Sequence, residues 1–590
     1  MRFAKFKRTF PLAVAAVLAA STPTLIAPPG EASAVPVSTQ RTEEVYTSTS
    51  PINGVVASVV RHHVPLPKSV GPHPAACDWV SYLRFRSADG SSDPRAADRI
   101  MIAQPGILEG AGAFESVARN TVVKAAAEGR HVEFWALDRR SNCLEDHTGL
   151  RAGVADKSFA TAAGYYLHGK PVNGKRFAGF PDLVSSAGQL AWLKHVDLEQ
   201  TLNDEYAIMR AEVPDQKARK QKFLCGGHSL GGFITGYFAE WDFDGNRRTR
   251  NDAGYNQCAG YFALDTAVTS DMMSMAGGML PGDLSKQLKL TMPNLPPELG
   301  QVMDAFMGIP DTALPALALP TLINAETMNL LALVGLAANV DPQGVDKVVK
   351  ELPRNLNLDS TLRILLSKDY AMAATGQPDI RKLRATNQAV LGAILDDNVQ
   401  PFGFLQVSVG FTQPQDPVQP RSFPLPDAVA NALPGGVMMV GDAKKFAPSS
   451  FDGRTIYRWA DYDQIGPALR GKTSPSNEKT SITELARDLA EPPLDFTEWY
   501  FPTALTTSLS NRSGPAQTRH RFYPDAALRA PMITFKAGGG IQANPPNGHG
   551  RLVELPGYNH IDVLTAAWKQ NDGRPEQVSS KLADFAVSPR

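Results

Sequence analysis

Gly227-His228-Ser229-Leu230-Gly231-Gly232 is the segment of this chain whose residue types and spacing most suggest chemistry. A serine with glycines two positions to either side suits a tight turn between a strand and a helix. The glycines remove Cβ atoms that would collide, and the hydroxyl stands out of strained backbone. The N–H of Leu230, at the start of the helix, faces the same space. It can stabilise the negative oxygen formed when the hydroxyl attacks a carbonyl. The flanks supply the context, because Lys222–Gly226 reads as a short strand and Phe233–Trp241 as a helix.

A serine hydroxyl needs a base. With the nucleophile first and the histidine last in chain order, only His520, His549 and His560 of the eleven histidines qualify. His560 follows an apolar strand, Leu552–Leu555, and the turn Pro556-Gly557-Tyr558-Asn559, and it is the expected base. His549 comes after the loop Asn544-Pro545-Pro546-Asn547-Gly548, which would hold a base poorly. The acid that orients the imidazole is expected at Asp265, at the end of the strand Gly260–Leu264, with Asp562 and Asp525 in reserve. The usual place, after the strand Met532–Phe535, reads Lys536-Ala537-Gly538-Gly539-Gly540 and has no carboxylate. A second oxyanion donor is expected in Gln104-Pro105-Gly106-Ile107-Leu108. Pro105 has no N–H to give, which leaves Ile107 or Leu108.

These side chains need a scaffold. Val80–Phe85, Arg99–Ala103 and Val132–Leu137 read as strands, with a helix over Ala113–Glu128 and a long helix over Leu183–Val213. Strands separated by helices imply parallel pairing with helices on both faces of the sheet. The pattern pauses from Thr266 to Ala530, where helical segments such as Leu330–Ala338 and Leu362–Leu366 are broken by prolines. Eight of the fifteen methionines fall between Met272 and Met328, which suits core packing or an adaptable apolar wall. The apolar span Leu330–Val340 is too short to cross a bilayer. This region reads as an inserted, mainly helical cap, after which the strands resume and a helix from about Ile561 closes the chain. The expected divisions are 1–34, 35–265, 266–530 and 531–590.

The first of these divisions reads as a secretory signal. Arg2, Lys5, Lys7 and Arg8 precede an apolar run from Pro11 to Ala20, and Ala32-Ser33-Ala34 offers a cleavage site after Ala34. Its removal would leave a net charge of −3 on a chain that is neutral overall. No basic excess beyond the first eight residues points to nucleic acid, and no integral membrane segment is expected in the mature chain. Export makes the four cysteines disulfide candidates. Cys77–Cys143 and Cys225–Cys258 are the favoured pairs, since each flanks neighbouring elements.

The stretches from about residue 77 to 265 and from 531 to 590 resemble the α/β-hydrolase fold, and Gly227–Gly232 resembles the elbow of secreted lipases and esterases. The resemblance implies an eight-stranded, mostly parallel sheet flanked by helices, and an acyl-serine mechanism. Position by position it places the nucleophile at Ser229, the base at His560 and an oxyanion donor at Leu230. The chain departs from the pattern at Gln104-Pro105-Gly106, where many lipases have His-Gly, and in the missing acid after the penultimate strand.

Three further matches point elsewhere. Gly466–Thr473 fits G-x-x-x-x-G-K-T in full, yet neither a buried strand before it nor a helix directly after it is present in the sequence. Asp242, Asp244 and Asn246 fit the first ligand positions of a calcium loop, but Arg247 stands where glycine is needed and Ala253 where glutamate is. Asp138-Arg139-Arg140 could bind an anion, though a structural ion pair suits it better. The expectation is therefore a secreted serine hydrolase acting on a small-molecule or lipid-like carboxylic ester, with no cofactor and no metal. A serine peptidase, an acyltransferase or a non-catalytic binding protein on the same fold are the alternatives.

Overall fold

The apolar runs of the core pair into one sheet of nine strands. The computed structural model describes residues 38, 40–181, 187–272, 314–318, 323–346, 348–423, 445–460, 478–570 and 575–588. The strands are β1 (Arg41–Val45), β2 (Val55–His63), β3 (Trp79–Ser87), β4 (Arg99–Gln104), β5 (Val132–Leu137), β6 (Phe223–His228), β7 (Gly260–Leu264), β8 (Met532–Gly539) and β9 (Arg551–Asn559). Their order is β1-β2-β3-β5-β4-β6-β7-β8-β9. From β5 to β9 every neighbouring pair is parallel, while β1, β2 and β3 run antiparallel to their neighbours and β3 to β5. Every residue of β5, β6 and β7 is buried, as expected of strands covered on both faces.

Helix α1 (Glu115–Ala127) packs on β3 and β5 together with the C-terminal helix Gln577–Val587. Helix α2 (Leu230–Glu240), which the serine turn launches, packs on β4, β6 and β7 and is buried along its whole length. Between β7 and β8 the described residues hold a run of helices and three two-stranded sheets, so this segment is not helical alone. Within it, helix α3 (Ala325–Val340) crosses helix α4 (Ile482–Ala490), with Gly335 seated against Leu489. The segment is stitched to the core beside β4: Gly110 N–H donates to Phe496 O (3.0 Å), Gly112 N–H to Asp495 O (3.1 Å), and Glu498 N–H to Leu108 O (2.9 Å).

Several elements differ from the sequence reading. The sheet has nine strands, because β1 and β2 add an antiparallel N-terminal edge. The helix expected over Leu183–Val213 is interrupted. Residues 182–186 lie outside the described set, and the Asp197 side chain accepts from Gln200 N–H and restarts the helix at Leu198–Glu212. The closing helix from Ile561 is a single turn, Asp562–Thr565, and the last long helix begins at Gln577.

Both favoured cysteine pairs are bonded, Cys77–Cys143 with Cα atoms 5.1 Å apart and Cys225–Cys258 with 5.8 Å. The described residues form one compact unit. The signal-like segment 1–34, most of the methionine-rich stretch and Gly466–Thr473 lie outside the described residues. No described helix is long and apolar enough to cross a membrane.

Candidate active site

Ser229 sits at the junction of β6 and α2 with φ 53° and ψ −121°, a left-handed conformation that costs energy for a residue with a side chain. Close approach to the end of β4 explains its glycine neighbours. A Cβ on Gly227 would come within 2.6 Å of the Gln104 carbonyl oxygen, and one on Gly231 would overlap the same atom. The Thr266 hydroxyl donates to Ser229 O (2.6 Å), and Ser229 N–H donates to Leu264 O (3.3 Å), which fixes the turn against the end of β7.

Asp265 follows β7 at φ 43° and is fully buried. Its Oδ2 lies 2.5 Å from His560 Nδ1, whose ring follows β9. The same carboxylate accepts from Ala537 N–H (2.9 Å, Oδ1) and Ile541 N–H (3.0 Å, Oδ2). The strand extends past Phe535 to Gly539, and its glycine-rich end, which carries no carboxylate of its own, is thus the seat for the carboxylate that follows the neighbouring strand β7. The reserve carboxylates lie elsewhere. Asp562 accepts from Asn559 N–H (2.7 Å), Ser408 N–H (2.9 Å) and the Thr480 hydroxyl (2.7 Å), and burial pushes it up to about 7. Asp525 stands before the short helix Ala526–Arg529, its N–H donating to Glu240. His520 stacks on Trp241, and its Nδ1 faces the Asp242 carbonyl. His549 Nε2 faces the carbonyl of Ala530.

The loop after β4 lies over the serine. A Cβ on Gly106 would come within 2.9 Å of Ser229 Cβ. Arg139 Nη2 donates to the carbonyls of Pro105 (2.5 Å) and Gly106 (2.8 Å), and its Nη1 pairs with Glu498 Oε2 (2.5 Å). In a trans peptide the N–H points opposite to the C=O. With the Gly106 carbonyl turned to Arg139, the Ile107 N–H is therefore directed away from that guanidinium. Ile107 is 38% exposed, whereas Leu108 is buried at φ 59° with its carbonyl taken by Glu498 N–H. Arg140 is likewise committed to a buried pair, with Asp204 (2.9 and 2.5 Å), so neither arginine is free to bind an anion among the described residues.

A pair that sequence reasoning missed adjoins this group. His228 Nδ1 lies 2.6 Å from Glu109 Oε1, and its Nε2 lies 3.0 Å from the His560 carbonyl oxygen. Both ring nitrogens face oxygens, an arrangement that an imidazolium beside a carboxylate satisfies with two donated hydrogen bonds. Burial opposes both charges, but each partner outweighs it: Glu109 is held below the usual carboxylate range, and His228 above the usual imidazole value. Motif spacing treats His228 as filler between two glycines, and Glu109 carries no local signal of its own.

Two other clusters gather metal-type ligands. Asp242, Asp244 and Asp252 approach one another, but their oxygens accept from the loop itself, at Asn246 N–H, Asp244 N–H and the Thr249 hydroxyl. Around His147, Glu145 faces Nε2 (3.0 Å) and Asp495 faces Nδ1 (3.6 Å). The two carboxylates thus stand at opposite nitrogens, and burial holds this imidazole down at about 3.

The strand order, with an antiparallel strand beside a parallel run and a serine elbow leaving the central β6, is that of the α/β-hydrolase fold. No family model and no curated protein matches the chain. Among solved structures it is similar to a laboratory-evolved variant of potato epoxide hydrolase, with 11% identity over 93% of this chain and 99% of that one and a TM-score of 0.31. It is also similar to a peroxisomal α/β-hydrolase of Saccharomyces cerevisiae, with 10% identity, 93% and 90% coverage and a TM-score of 0.28. An acetyl xylan esterase from Paenibacillus has 10% identity, 46% and 68% coverage and a TM-score of 0.20. These scores are low, and the assignment of the fold rests on the strand order and the elbow.

Proposed function

We propose that the protein is a secreted serine hydrolase that cleaves carboxylic esters through an acyl-serine intermediate. Ser229 attacks the carbonyl, and His560 takes its proton and returns it to the leaving alcohol. Asp265 holds the imidazole with Nδ1 protonated, so that Nε2 is the basic nitrogen. The N–H groups of Leu230 and Ile107 receive the charge on the carbonyl oxygen, with Leu108 as the alternative donor. Water then releases the acid from the enzyme.

The observation that carries this reading is the 2.5 Å contact between His560 and Asp265 at strand ends beside a left-handed serine elbow. An apolar ester is favoured by Ile107, an exposed large hydrophobic residue one position beyond the glycine that crowds Ser229. Residues 266–530 serve in this reading as a cap that shapes the acyl or alcohol pocket. Two disulfides suit an oxidising compartment and support export; cleavage after Ala34 is the processing this reading expects.

The test is a panel of p-nitrophenyl esters of increasing chain length beside a p-nitroanilide. Ester cleavage that improves with chain length supports the proposal, and preferential anilide cleavage favours a peptidase. No turnover of any activated ester, with ligand binding intact, favours a binding protein.

A further inference from the structure

Glu109 and His228 join three parts of the candidate site that come from distant stretches of chain. Glu109 Oε2 accepts from Gly106 N–H (2.5 Å), while Oε1 accepts from His228 Nδ1–H (2.6 Å). His228 is the last residue of β6, directly before Ser229, and its Nε2 donates to the main-chain carbonyl of His560 (3.0 Å). The His228 and His560 rings lie 4.3 Å apart between centroids. The side chain of His228 is fully buried and that of Glu109 is 7% exposed, so water does not compete for these bonds. Arg139 holds the same loop from its other side through the carbonyls of Pro105, Gly106 and Glu109.

Neither residue is placed to react. Both carboxylate oxygens of Glu109 and both nitrogens of His228 are already engaged. What the pair can do is geometric. The Pro105–Gly106 peptide, next to the one that carries the Ile107 N–H, and the His560 main chain are tied by charged hydrogen bonds to the strand that carries the nucleophile. Such bonds are shorter and stronger than neutral ones, and a displacement of about 1 Å at a catalytic group costs about a hundredfold in rate.

We propose that Glu109 and His228 are positioning residues that clamp the oxyanion loop and the main chain of the base to the Ser229 strand. The inference rests on the serine-hydrolase reading. It is tested with Glu109→Ala, His228→Ala and the conservative Glu109→Gln, whose amide keeps an acceptor for Gly106 N–H and presents a donor to a neutral His228. Active serines are counted with a fluorophosphonate, and kcat and KM for a p-nitrophenyl ester are expressed per titrated serine. Both alanine variants are expected to lose about 10- to 100-fold in kcat, with KM within about threefold, and Glu109→Gln is expected to recover most of the loss.

The low-field proton of the His560–Asp265 bond, assigned by its absence in Asp265→Asn, gives a readout that needs no turnover. It should shift or broaden in Glu109→Ala and return in Glu109→Gln. A kcat per titrated serine within twofold of wild type in both alanine variants, or an unchanged low-field proton, overturns the proposal. A wild-type protein that hydrolyses no ester and takes no label sinks the underlying reading instead, and the low-field proton still decides the clamp.

Discussion

Gly540 lies so close to Asp265 that a Cβ on the glycine would overlap the carboxylate. The position of the Asp265 carboxylate therefore depends on an empty space supplied by the turn that follows β8. Gly540→Ala is expected to push Asp265 away from His560 and to lower kcat strongly, while Gly538→Ala, whose Cβ would meet nothing closer than 3.4 Å, leaves kcat near wild type. Asp265→Asn should cost about 10⁴-fold by analogy with other triads. Kinetics on the three variants checks this, and equal effects at 538 and 540 would contradict it.

Asp562, beside the base in sequence, is expected to behave differently from Asp265. It ties Asn559 to Ser408 and Thr480 of the intervening segment. Asp562→Ala leaves buried donors unpaired and should cost about 1–3 kcal/mol in stability. Asp562→Asn should keep far more activity than Asp265→Asn, which denaturation and kinetics on the same preparations will show.

Glu205 predicts a pH dependence of stability. Burial raises its carboxyl to about 8, and Gln104 Nε2 is its hydrogen-bond donor (2.8 Å). A carboxyl raised on folding contributes stability that is fully present below its unfolded value. That contribution falls as pH rises through the folded value, so the window runs from about 4.5 to about 8. Glu205→Gln should flatten this decline and melt above wild type at alkaline pH. A constant difference in Tm across the window would count against it.

The Cys225–Cys258 bond anchors β6, the strand that presents Ser229, to the chain entering β7. A closed loop of this length is worth about 3–4 kcal/mol by chain entropy. Replacing both cysteines by alanine should lower stability by that order, measured by denaturant unfolding under oxidising conditions.

Much of the architecture was legible because it depends on local pattern. The apolar runs of β4 to β7 and the glycines around Ser229 carry their own signals, and chain order left few histidines to choose among. The pairing of Asp265 with His560 was harder to read, because the glycine-rich end of β8 reads as an absence until Ala537 and Ile541 are seen donating to the carboxylate that follows β7. Glu109 and His228 were missed for the same reason. Their meaning lies in a contact across 119 positions, and no periodicity encodes it. Of the N-terminal edge, β1 is exposed throughout and shows no buried face to read, whereas β2 carries an apolar, largely buried run that the sequence reading passed over.

The central claim is that Ser229 is the nucleophile. Intact-mass analysis after treatment with a serine-directed fluorophosphonate tests it most directly. The account predicts a single adduct, mapped to the peptide containing Ser229, absent in Ser229→Ala and formed more slowly in Asp265→Asn. Equal labelling of wild type and Ser229→Ala, or an adduct at a different serine, would contradict it.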